Sequence, residues 1–80
     1  MRCVIFQHPR VSHSGVLKAL GWAKDTFSIE TDASAGVVAL SQRARHTKKH
    51  PALTDKVVER ARVSLETHFG EVLIVSDEIT

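Results

Sequence analysis

Two short apolar runs near the two ends of the chain, residues 4–6 and 72–75, most constrain the fold. Each is too brief for an amphipathic helix and too apolar for a loop, so each reads as a strand with apolar side chains in both directions. The first, within Arg-Cys-Val-Ile-Phe-Gln at 2–7, is closed by His8-Pro9 and belongs in the middle of a sheet; the second lies in a closing strand over 71–79. Between them, Ser12 or Ser14 can cap a short helix carrying Val16, Leu17 and Leu20, with Gly21 as its stop and Trp22 packed behind it. Residues 26–31 alternate, Phe27 and Ile29 to one side and Thr26, Ser28 and Glu30 to the other, as a half-buried strand does. Thr54 opens the strongest helix, where Val57, Val58, Ala61, Leu65 and Phe69 keep 3–4 spacing up to Gly70, with Arg62 and Glu66 paired on its outer face.

The fold class turns on residues 32–45. Val37 and Val38 after Gly36 suit a turn and a strand forming a hairpin with 26–31; the competing reading is a helix from Asp32 to Arg45. Gly36 in a first helical turn costs about 1 kcal/mol relative to alanine, which weighs for the strand. The order is then β-α-β-β-α-β, an α+β chain with the ferredoxin-like, split βαβ arrangement: two helices on one face of a four-stranded antiparallel sheet. Its open face would expose apolar side chains unless a second copy covers it, so a homo-oligomer, in its simplest form a homodimer, is expected.

Eighty residues suffice for one domain over 1–80, and a single Cys3 excludes an internal disulfide. With no apolar stretch long enough for a membrane span and no leader-like start, the expected setting is cytoplasmic, away from membranes. The net charge of +2 conceals an asymmetry: residues 1–50 hold eight Lys/Arg against three Asp/Glu, residues 51–80 three against six. The positive excess concentrates in residues 43–50, where Arg43, Arg45, Lys48 and Lys49 stand with His46 and His50 and no acid. Clustered cations release condensed counterions from phosphates, so these four residues are the candidate nucleic-acid contacts. The plainer reading is a solvated loop, and an acidic protein surface is a third possible partner. The aromatic residues Phe6, Trp22, Phe27 and Phe69 occupy core or helix-stop positions, which leaves no base-stacking platform.

Other constellations are thinner. Cys3, His8 and His13, or His46 and His50 at i,i+4, are incomplete sets of metal ligands, and Lys48 and Lys49 would repel a cation, so no metal or other cofactor is expected. Cys3 in an apolar strand reads as an inert packing residue. No nucleophile elbow, phosphate-binding glycine loop or twin-cysteine motif is present, and His13, Ser14 and Asp32 lack the spacing of a catalytic set; a non-enzymatic regulatory module is expected. An alternative to nucleic acid is protein–protein interaction, as an inhibitory or regulatory subunit using a sheet face or edge strand. The segment Ser-Gly-Val-Leu-Lys-Ala-Leu at 14–20 also resembles the glycine-containing loop-to-helix start of ACT-type regulatory domains, with His13 and Ser14 where those domains carry an acid and a proline. That resemblance implies a dimeric βαββαβ module binding a small effector around 14–17.

Overall fold

A computed structural model, describing residues 2–43 and 51–79, has the order β1 (Arg2–Gln7), α1 (His13–Ala19), β2 (Phe27–Asp32), β3 (Val37–Gln42), α2 (Asp55–Phe69) and β4 (Leu73–Ile79). It is an α+β fold with two helices and a four-stranded sheet ordered β2-β3-β1-β4, in which every neighbouring pair is antiparallel. β1 is central, as expected from the sequence.

The segment of two readings is a strand. Asp32 Oδ1 accepts from Ser34 Oγ (2.7 Å) and from the Ala35 amide (3.1 Å), bending the chain at once after β2. Gly36 then takes φ +69°, and its carbonyl accepts from the His8 amide at 2.8 Å, pinning the turn to the end of β1. A helix through these residues would forfeit both anchors.

Opposed residues in the ladders share a face, so Val4, Leu40 and Ile29 line up, as do Phe6, Val38 and Thr31. Val4, Phe6, Phe27, Val38 and Leu40 are buried on this side in one core with Val16 and Leu20 of the first helical region and Val58, Ala61 and Leu65 of α2. Full burial of a side chain such as Phe6 or Leu40 contributes roughly 1.5–3 kcal/mol. Both helices carry the N-cap hydroxyl their sequences suggest, but α1 closes on Leu20, and Gly21 does not take the positive φ of a glycine stop. Ser12 Oγ accepts from the Gly15 amide and Thr54 Oγ1 from that of Val57, while Leu20 and Gly70 close the far ends. Gly15 permits the closest helix approach, since a Cβ there would lie 2.7 Å from the Phe69 ring.

Two expectations need adjustment. β2 runs one residue later than the alternating pattern suggests, because Asp32 still pairs with Val37 before the turn. The closing strand begins at Leu73 and lies at a sheet edge: Val72 just before it is buried, but Leu73, Ile74 and Val75 are exposed, so the run is apolar without being enclosed. A register shift opposite Ile5 and Phe6 skips Val75 in the pairing with β1.

Candidate nucleic-acid interface

Arg43 leaves the end of β3 with its side chain exposed, and its Nη2 donates to the Lys24 carbonyl at 3.1 Å. Lys24 sits on a compact connection between α1 and β2. That connection is fixed by buried Ala23 and by amides of Ala23, Thr26 and Phe27 donating to carbonyls of Leu20, Ala23 and Ala23, respectively. The Arg43 side chain is thus held against the α1–β2 connection where the basic segment departs, and Lys24 in that connection is exposed as well. After it, Leu53 is buried and Thr54 caps α2, whose first turn carries exposed Lys56. Arg45, Lys48 and Lys49, with His46 and His50, lie outside the described residues. Lys24 was not foreseeable from spacing, because only the turn after α1 brings it against a residue 19 positions away.

Two of the acids at this end, Asp55 and Asp77, are engaged by one guanidinium, while Asp25 and Glu78 are exposed. Arg2 Nε and Nη2 grip Asp77 at 2.9 and 2.7 Å, and its Nη1 reaches Asp55 Oδ1 at 2.7 Å and the Leu53 carbonyl at 3.3 Å. Its side chain is only 15% exposed. These hydrogen bonds, to Asp77 foremost, hold the guanidinium charged far above its ordinary range and hold the Asp77 carboxyl below the usual carboxylate range. On α2, Arg62 binds Glu59 and also Glu66 at 2.5 Å, keeping the Glu59 carboxyl low. Helical spacing puts Asp55, Glu59, Arg62 and Glu66 on one stripe and Lys56 and Arg60 on the next. The latter stripe borders Trp22, whose ring lies 4.0 Å from the Arg60 guanidinium and whose Nε1 donates to Ser64 Oγ at 3.1 Å.

The sheet face away from the core has the opposite character. Its rows are Asp32-Val37-Gln7-Leu73, Glu30-Ala39-Ile5-Ser76 and Ser28-Ser41-Cys3-Glu78, with carboxylates and no Lys or Arg. A phosphate backbone is repelled there, and no aromatic ring on it offers stacking. Cys3 is half-buried on this face, outside the core where packing alone would have put it.

The remaining sequence candidates do not assemble into sites. His13 lies near enough to Asp32 to help lower its carboxyl pKa, but the leading causes are the bonds from Ser34 and Ala35 that commit this carboxylate to the turn. His8 Nδ1 accepts from the Arg10 amide at 3.0 Å, and its ring rests against Phe69. Among the described residues, no three His, Cys, Asp or Glu side chains come together as metal ligands. Gly15, which carries the resemblance to ACT-type starts, is buried against Phe69 and offers its missing side chain to helix packing. No helix among the described residues is long and apolar enough to cross a membrane. Compared with known protein families, curated protein sequences and solved structures, the chain finds no match in any of the three.

Proposed function

We propose that the chain is a non-enzymatic binding module that contacts nucleic acid through Arg43, Arg45, Lys48 and Lys49, with Lys24 as an added contact. The observation that carries this reading is exposed Arg43, held by its bond to the Lys24 carbonyl at the root of a basic segment whose residues 43–50 include no acid, opposite in character to the acidic sheet face. Recognition is of the phosphate backbone, and hence sequence-independent and salt-sensitive. The split βαβ arrangement belongs to the same reading, supported by the element order and by the strand order β2-β3-β1-β4. A cytoplasmic, reducing setting fits the single Cys3. Fluorescence anisotropy with labelled duplex and single-stranded oligonucleotides at about 50 mM salt, where such contacts are strongest, tests it. Wild-type protein should bind both, and the variant with alanine at 43, 45, 48 and 49 should lose most of that affinity; absence of wild-type binding defeats the reading.

A second reading, protein–protein association, is favoured by β4. This edge strand exposes Leu73 (58%), Val75 (52%) and Ile79 (77%), whereas β2 at the other edge presents Glu30 and Asp32. An apolar edge with unpaired backbone groups is a template for another strand, and a second copy supplies an equivalent one. The Asp77 charge does not oppose such pairing, because Arg2 of the same chain neutralises it.

A further inference from the structure

We infer that the groove between α1 and α2, on the outer side of the helical layer, is a binding site for a small phosphate monoester. The groove is shallow and open to solvent, with a volume of about 320 Å³, and is lined by Lys18, Ala19, Val63, Ser64, Thr67 and His68. That volume falls in the range of small-molecule sites, which begins at roughly 300 Å³. Its lining contains a lysine, an imidazole and two hydroxyls but no carboxylate.

Each polar group has a defined capacity there. Lys18 and His68 are exposed and form no ion pair among the described residues, so an ammonium and a ring N–H are left to donate. Ser64 Oγ accepts from Trp22 Nε1, which orients the hydroxyl and leaves its own proton for an acceptor in the groove. Thr67 Oγ1 donates to the Val63 carbonyl at 2.9 Å, so it lines the wall and contributes no proton. One helical turn before Ser64, Arg60 stacks over the Trp22 ring and is not part of the groove lining. The α2 acids Glu59 and Glu66 are tied to Arg62 on another stripe. Val63, 48% exposed, and Ala19 supply an apolar wall for the organic part of the ester. A cationic point charge, a neutral donor pair and an apolar wall together suit a compact dianion carried on a small organic group.

The site lies on different elements from residues 43–50, so it can be tested separately from the nucleic-acid reading. Amide chemical shifts would be followed while inorganic phosphate, phenyl phosphate and an oligonucleotide without terminal phosphate are titrated in turn at constant ionic strength. Saturable shifts centred on Lys18, Ser64, Thr67 and His68 with phosphate and phenyl phosphate, the latter the tighter, are expected. Lys18→Gln and His68→Gln should each weaken phenyl phosphate binding about tenfold while leaving the remaining amide spectrum unchanged, as loss of a charge-assisted hydrogen bond implies. The variant with alanine at 43, 45, 48 and 49 should bind phenyl phosphate as wild type does. Non-saturating shifts, shifts confined to the basic segment, or groove shifts produced equally by the oligonucleotide would overturn the assignment.

Discussion

Placing a methyl group on Gly36 would set it 3.0 Å from the His8 carbonyl oxygen and force a left-handed backbone on a residue with a side chain. Gly36→Ala should therefore destabilise the protein by at least about 1–2 kcal/mol, read from the midpoint of urea unfolding. A wild-type midpoint would mean that the turn relaxes freely. Arg2 is the corresponding charged anchor, joining β1 to β4 and to the start of α2. Asp77, Asp32 and Glu59 all have folded carboxyl pKa values below their ordinary ones, so their contribution is present above the unfolded values. It is lost as pH falls through the folded values; urea melts should show stability declining below about pH 4, with the contribution of these groups complete and little changed by pH above it. Arg2→Met should lower stability near neutrality and flatten that acid limb, because Asp77 then titrates alike in both states. An unchanged acid limb in Arg2→Met would show that the ion pair contributes nothing.

The edge strand carries a prediction of its own. Leu73 and Val75 are exposed in the single chain, so replacing both by lysine should change monomer stability by no more than about 0.5 kcal/mol each. The same double substitution should abolish any self-association seen by sedimentation equilibrium. A large loss of stability with no change in association would instead place these side chains in the folding of the monomer. Strand β1, the Thr54 cap and the Gly70 stop were legible in the sequence because local chemistry decides them: an apolar run, a hydroxyl before a helix and a glycine after one. The hairpin was legible from Gly36, which sits awkwardly in a first helical turn and takes the positive φ of a tight turn here. The edge position of β4 was not, since apolarity alone cannot say whether one or two strands flank a run. Nor was the Arg2 anchor, whose partners lie 53 and 75 residues away in sequence. Of the candidate interface, the basic run could be read directly, whereas Lys24 entered only through the turn that Ala23 buries.

For the whole molecule, charge is divided between two surfaces. The sheet face holds Glu30, Asp32 and Glu78 and so disfavours a polyanion, while exposed Arg43 bonds the Lys24 carbonyl at the root of the basic segment. Removing the four basic side chains at 43, 45, 48 and 49 should leave the unfolding midpoint near that of wild type. Binding, by contrast, should depend on them in a manner that salt exposes. The most direct test is the slope of log affinity against log salt concentration for duplex DNA, measured for wild type and for this fourfold alanine variant. The wild-type slope should be steep and similar for unrelated sequences, and the variant should flatten it by about 3–4 units, each lost phosphate contact removing about 0.9. Equal slopes for the two proteins, or no wild-type affinity at about 50 mM salt, would contradict a nucleic-acid contact through these residues.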